Sequence, residues 1–254
     1  MRIVCIKDWD LKLGNKIIST LEYNGFLSAI TKGERSYGKS TYNIKNMAYV
    51  YYKVNGYTNE DDAWNEALRN IIFSPDDLLE KVDYNIRQDY ISPVITIDDA
   101  SVHFSSHLFF INVYESSLMN ATFDTIRTIT HGLLINCPSK KRLMSGLRHY
   151  DDYDIIIYKE PSPYERKAIA IKWYSLPDGH RKFRKEFEDY FSCYLPNWVY
   201  DEYMIRRKKY LKDISNDLKV LRDKIRNKQK EYISNNVIET ELNPENEDKE
   251  DVGF

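Results

Sequence analysis

The chain has 254 residues, 42% of them hydrophobic, with 37 Lys and Arg against 39 Asp and Glu and a net charge of −2. That length suits one α/β domain plus an appendage, and the near-neutral balance excludes a globally basic nucleic-acid binder, so any basic surface is local. Three cysteines, Cys5, Cys137 and Cys193, are too few and too scattered for a disulfide framework or a thiolate metal site, and neither a long apolar run nor a secretory leader is present, so a soluble cytoplasmic protein without a membrane partner is expected.

Residues 1–23 form a leader with a strand candidate at 2–6 and a segment, 11–21, that composition does not assign. The first clear strand is 25–30. Directly after it comes Gly33-Glu34-Arg35-Ser36-Tyr37-Gly38-Lys39-Ser40, which fits the phosphate-loop pattern G-x-x-x-x-G-K-[ST] in its required setting, a strand before and a helix after. Gly33 and Gly38 permit a backbone path that turns several N–H groups inward around a phosphate. Lys39 adds a point charge between the β- and γ-phosphates, and the Ser40 hydroxyl is a ligand for Mg²⁺. The expected nucleotide-binding stretch is therefore Gly33, Glu34, Arg35, Ser36, Tyr37, Gly38, Lys39, Ser40 and Thr41, with ATP and Mg²⁺ as cofactors. The helix that follows spans 39–54 and stops near Gly56.

A second helix follows Thr58, Asn59, Glu60 and Asp61. A third is signalled by Ser74 as N-cap with Pro75 in the first helical position. The strand 93–97 then ends in Asp98-Asp99. Acids directly at the C-terminal end of an apolar run mark a central parallel strand that faces a ligand crevice. Asp98 is expected opposite Ser40, holding Mg²⁺ through water in the Walker B role, and Asp99 beside the attacking water. A strand-end turn or helix cap is the alternative for the pair.

Residues 105–129 read as one long helix or two shorter ones; His103 and His107 lie one helical turn apart but lack a third ligand at metal spacing. The strand 132–135 ends in Asn136, placed to sense a γ-phosphate, or else to make a turn before Pro138. A short basic helix over 139–148 offers Arg148, and secondarily Arg142, as an arginine reaching a neighbouring subunit's nucleotide; a solvated basic face is the plainer reading. A strand over 153–158 follows. Residues 161–176 are read as a strand returning antiparallel to it, closed by a turn at Pro177, Asp178 and Gly179.

Beyond Gly179 the charge rises. His180-Arg181-Lys182-Phe183-Arg184-Lys185 is a basic patch around an aromatic ring, compatible with a nucleic-acid backbone, although Glu186, Glu188 and Asp189 follow at once. Leu211, Ile214, Leu218, Leu221, Ile225 and Tyr232 fall in steps of three and four once Lys228 fills a slot, a heptad seam with basic flanks. The expected division is a leader at 1–23, a phosphate-loop core at 24–178, a helical basic arm at 179–235 and an acidic disordered tail at 236–254.

On the phosphate loop, the 94–99 strand end and Asn136, the chain resembles P-loop ATPases of the additional-strand class, which includes AAA+, RecA-like and HerA/FtsK-like proteins. More narrowly it resembles ATP-binding proteins encoded by viruses and plasmids of thermoacidophilic archaea, among them the fusellovirus ATPase described as DnaA-like. The Lys- and Tyr-rich composition and Leu195-Pro196-Asn197-Trp198-Val199-Tyr200 before a basic helix add to that likeness. The resemblance implies a three-layer α/β/α P-loop NTPase fold with a mainly parallel central sheet, followed by a long C-terminal helix or coiled coil. It also implies ATP hydrolysis on the DNA of a mobile element, with homo-oligomerisation. One departure is that Asp98-Asp99 stands where many relatives have Asp-Glu, so a shorter carboxylate must reach the water; a nucleotide-gated switch whose basic coiled coil binds DNA or protein is the second reading. A small-molecule kinase is a third, disfavoured by the acid pair and the basic helix.

Overall fold

The computed structural model describes residues 5–6, 9–104, 113–175 and 180–242. Helix α1 (Lys12–Leu21) leads into strand β1 (Leu27–Lys32), the phosphate loop and α2 (Lys39–Asn55), followed by α3 (Glu60–Arg69), β2 (Ile71–Ile72) and α4 (Pro75–Arg87). Strand β3 (Ile95–Ile97) runs into the short α5 (Ala100–His103). After α6 (Val113–Asp124) come β4 (Gly132–Asn136), the short α7 (Ser145–Arg148), β5 (Tyr153–Lys159), β6 (Glu165–Ser175), β7 (Arg181–Ser192) and α8 (Asn197–Leu242). The strands form one sheet in the order β2-β3-β4-β1-β5-β6-β7, parallel from β2 through β5 and antiparallel for β6 and β7.

Period-two alternation divides the strands between two layers. Ile30, Ile95, Ile97, Leu133 and Ile135 face one core with Leu78 of α4, Phe104, Met119 and Phe123 of α6, and Leu147 of α7. On the opposite face, Thr31 and Thr96 meet Asn43 of α2, whose Tyr51 hydroxyl donates to the Val94 carbonyl at 2.7 Å. The chain thus has a three-layer α/β/α fold with a mainly parallel sheet. Strand β4, which ends in Asn136, is inserted between β1, which leads into the phosphate loop, and β3, which leads into Asp98.

Local signals placed several boundaries well. Gly56 closes α2 in the left-handed conformation at φ 64°, and Ser74 and Asp77 form a reciprocal capping box at the start of α4. The unassigned segment of the leader is α1; the 2–6 strand candidate, the 177–179 turn, His107 and residues 105–112 of the predicted helix lie largely or wholly outside the described residues.

Two expectations are corrected. The basic helix over 139–148 is two short turns, a 3₁₀ turn at Lys140–Arg142 and α7, since Leu143 and Met144 between them turn inward and are buried. The predicted helical arm does not begin at 179: its first part is β7, a 12-residue edge strand, and the helix starts only at Asn197. Charges hide the strand's alternation, because Phe187, Asp189 and Phe191 point inward while Arg184, Lys185 and Tyr190 point out. Charged residues on an edge strand also block pairing with another chain. The division between compact units accordingly falls between Met204 and Ile205, and residues 236–242 continue α8. Among the described residues no helix is long and apolar enough to cross a membrane.

Candidate functional site

The parallel strands end together at one edge. In register, Thr31 pairs with Asn136, Ile135 with Ile97, and Ile97 with Ile72, so the loop after β1, Asp98 and Asn136 meet at the C-terminal ends of neighbouring strands, where open α/β sheets bind ligands. A buried polar chain braces this edge from below. Thr31 donates to Asn43 at 2.8 Å, Asn43 to Thr96 at 3.2 Å, and Thr96 to the Leu134 carbonyl at 3.0 Å. It joins β1, α2, β3 and β4 through groups that cannot reach water, which makes their relative positions costly to change.

The loop makes three left-handed steps, Gly33 at φ 144°, Ser36 at φ 63° and Gly38 at φ 90°. A side chain at Gly38 is doubly excluded: its φ is disfavoured for L-residues, and a Cβ there would lie 2.6 Å from Cys193 Sγ. Glu34, Arg35 and Ser36 are exposed at the loop apex, and Tyr37 lies under the Lys159 ammonium at 4.7 Å. Lys39 Nζ donates to the carbonyls of Gly33 at 3.0 Å and Glu34 at 2.8 Å, which holds the ammonium inside the loop. Thr41 is half-buried in the first turn of α2.

The start of α2 differs from those of the two helices that follow it, α3 and α4. Helix α3 has an Asn59 side-chain cap and acids at Glu60, Asp61 and Asp62, and α4 has its capping box with Asp76 and Asp77. Helix α2 is capped by Gly38, with no capping side-chain bond and no acid in its first turn. Its positive end thus faces the loop uncompensated by side chains, an arrangement suited to an anion.

Next to that end is a cluster built from four elements. Ser40 Oγ donates to Asp98 Oδ1 at 3.0 Å; Asn136 Nδ2 donates to Ser40 Oγ at 2.9 Å and to Asp98 Oδ1; the Tyr203 hydroxyl, from the start of α8, donates to Asp98 Oδ2 at 2.6 Å. Asp98 is buried, and burial pushes its carboxyl above the usual carboxylate range; the charge of Asp99 adds to this, while the Tyr203, Asn136 and Ser40 hydrogen bonds oppose it. Asp99 occupies the left-handed region at φ 48°, caps α5 and donates its backbone N–H to Asp98 Oδ1 at 3.1 Å.

Two observations test whether Mg²⁺ and a phosphate fit here. The donor set is hydroxyl and carboxylate oxygen, which a hard cation prefers, and Asn136 Oδ1 is a buried acceptor with no hydrogen-bond partner beside the Ser40–Asp98 pair, where a cation-bound water could donate. The residues fit the group.

Arg148 is held differently: its Nε donates to the Leu143 carbonyl at 2.6 Å, within its own loop, while Arg142 is exposed. Sequence reasoning missed Tyr203, which carries no motif and reaches the cluster only through the fold. It also missed the Thr31–Asn43–Thr96 brace, because buried hydroxyl and amide side chains leave no periodic signal.

No family model matches the chain. Protein B-251 of Sulfolobus spindle-shape virus 1, described as uncharacterized, is 29% identical over 227 residues, covering 86% of this chain and 88% of its own length. Among solved structures, the N-terminal domain of zonular occludens toxin from Neisseria meningitidis superposes with a TM-score of 0.39 at 11% identity, over 70% of this chain and 98% of that one. The RadB recombinase gives a TM-score of 0.38 at 18% identity, over 70% of this chain and 93% of its own.

Proposed function

We propose that this chain binds a Mg²⁺–nucleoside triphosphate complex, with ATP as the nucleotide, and hydrolyses it to ADP and phosphate. The observation that carries this reading is the convergence of Lys39, the uncapped start of α2 and the Ser40–Asp98–Asn136 cluster on one end of a parallel sheet. Loop amides and Lys39 bind the phosphates. Ser40 and Asp98 would hold Mg²⁺, which supplies charge neutralisation on the phosphate oxygens. Asp99 orients the attacking water, Asn136 senses the γ-phosphate, and Arg148 completes a neighbouring copy's site once released from the Leu143 carbonyl.

The work is done on DNA of a mobile element, in replication, partition or packaging. Support comes from β7, which carries Lys182, Arg184 and Lys185 around Phe183, a ring that is 65% exposed. Self-association through α8 is supported by Leu211 and Ile225, seam positions that each remain 50% exposed. Phosphate release by the purified protein with Mg–ATP, with and without DNA and with Lys39→Ala as blank, tests the reading. Release that Lys39→Ala leaves unchanged would overturn it.

A second reading, a nucleotide-gated switch without turnover, is favoured by Asp99: its carboxylate is one methylene short of the usual Glu, and its backbone is committed to the left-handed cap of α5. Asp99→Asn separates the two. A hydrolase then retains bound ATP without turning it over, whereas a switch keeps both its binding and its biological output.

A further inference from the structure

We propose that Tyr203 is a positioning residue for Asp98, and that through it loading of the cation site is coupled to the first turns of α8. This rests on the nucleotide-and-metal reading above and names a regulatory link at that same site.

The two oxygens of Asp98 are held from different sides. Oδ1 receives Ser40 Oγ, Asn136 Nδ2 and the Asp99 N–H, all from the phosphate-loop edge of the sheet, whereas Oδ2 receives the Tyr203 hydroxyl at 2.6 Å. A carboxylate fixed at both oxygens cannot rotate about its Cβ–Cγ bond. Oδ1 is therefore kept facing Ser40, which is the orientation a shared cation requires.

Packing places that hydroxyl. Val199 and Tyr203, one helical turn apart, are buried on one stripe of α8, and the Tyr203 ring lies 6.0 Å from that of Phe73. Phe73 follows β2, which pairs with β3, so the donor and its acceptor are carried on adjoining parts of the same framework. A phenol suits the task because its hydroxyl is carried at the end of a rigid ring with only two torsions to order.

The coupling is reciprocal by necessity. If the Tyr203–Asp98 bond favours the cation-ready orientation, a bound cation favours that bond by the same factor, so occupancy at the phosphate loop steadies residues 197–204. No residue of that segment needs to touch nucleotide.

The test uses the full chain as wild type, Tyr203→Phe and Lys39→Ala, with a fluorescent ATP analogue titrated at fixed Mg²⁺ concentrations and in EDTA, and with hydrogen exchange followed over residues 197–204. Tyr203→Phe keeps the ring and loses only the donor. The expected result is that this variant needs about tenfold more Mg²⁺ for half-saturation, within the usual range of such couplings. It keeps wild-type nucleotide affinity in EDTA, and loses the Mg²⁺-dependent slowing of exchange seen in the wild type.

An unchanged Mg²⁺ midpoint with unchanged protection overturns the proposal, and so does a loss of nucleotide affinity that is equal in EDTA, which marks a general packing role. Should Tyr203→Phe fail to fold, exchange in the wild type decides: no Mg²⁺-dependent slowing over 197–204 at saturating nucleotide overturns the link. A wild type that binds no nucleotide under any condition instead sinks the underlying functional reading, and is recognised before any variant is compared.

Discussion

The phenol of Tyr42 donates a 2.6 Å hydrogen bond to the carboxylate of Asp189, joining the phosphate-loop helix to the edge strand β7. The same carboxylate accepts the backbone N–H groups of Lys12 at 2.8 Å and Leu13 at 3.3 Å. The N-cap of helix α1 is Leu11, which offers no side-chain acceptor of its own. A residue 177 positions away along the chain thus caps it. One buried acid gathers the leader, the loop helix and the strand at the far edge of the sheet.

Asp189→Ala should therefore destabilise the protein by about 2–3 kcal/mol, since it leaves two helix N–H donors and a buried phenol without their acceptor. Tyr42→Phe should cost about 1 kcal/mol. A double-mutant cycle by urea unfolding should return a coupling of about 1 kcal/mol between the two. A coupling of zero would show that the phenol finds another acceptor.

Burial raises the Asp189 carboxyl above its ordinary value, more than the Tyr42, Lys12 and Leu13 hydrogen bonds lower it. With the folded pKa above the unfolded one, the native state holds a proton that the unfolded chain has lost within that window. The Asp189 contribution therefore falls as pH rises from the ordinary carboxylate range through the raised value, and is constant above it. The stability difference between wild type and Asp189→Asn, followed from pH 7 downward, should shift in favour of wild type. A difference that stays flat across the acid range contradicts this.

Lys45 has the opposite linkage. It is buried in α2, donates to Ser192 Oγ at 3.0 Å and lies 5.0 Å from the centre of the Trp9 ring, and burial lowers its ammonium to about 8. The unfolded chain keeps the proton above that value while the native state sheds it, so stability rises with pH from about 8 to the ordinary lysine range. Lys45→Met removes this slope and, by replacing a buried charge with apolar volume, should stabilise the protein at pH 7 by about 1 kcal/mol. Thermal melting at pH 7 and 9 measures both effects.

Gly38→Ala should lower nucleotide affinity by more than tenfold while leaving the circular dichroism spectrum intact. A left-handed alanine costs about 1 kcal/mol or more, and its Cβ would meet Cys193 Sγ at 2.6 Å. Because Cys193 supplies the clash, Gly38→Ala combined with Cys193→Gly should recover part of the affinity. Equal affinities for the single and double variants would leave backbone strain as the whole cause.

Much of the architecture was legible because its signals are local. The loop spacing from Gly33 to Ser40, the apolar run before Asp98, the Ser74-Pro75 cap and the strand before Asn136 each depend on neighbours within a few residues, and the parallel order follows from strands separated by helices. Strand β7 was not legible. Its inward residues include Asp189, so its alternation is not one of apolar with polar, and only the partners waiting in α1 and α2 explain an acid facing the core. The basic segment 139–148 was misread as one helix because the burial of Leu143 and Met144, which breaks it, depends on the core beneath.

By itself, the sequence determined where the loop from Gly33 to Ser40 falls and which polar groups end the strands beside it, because backbone freedom at Gly33 and Gly38 and the punctuation of strands are properties of short stretches of chain. Only the tertiary structure decided what surrounds them. Tyr203 reaches Asp98 across 105 positions, and Cys193 closes on Gly38 across the end of β7. Such contacts are set by strand order and helix packing, which bring distant residues within hydrogen-bond reach and leave no periodic trace in either partner's own sequence.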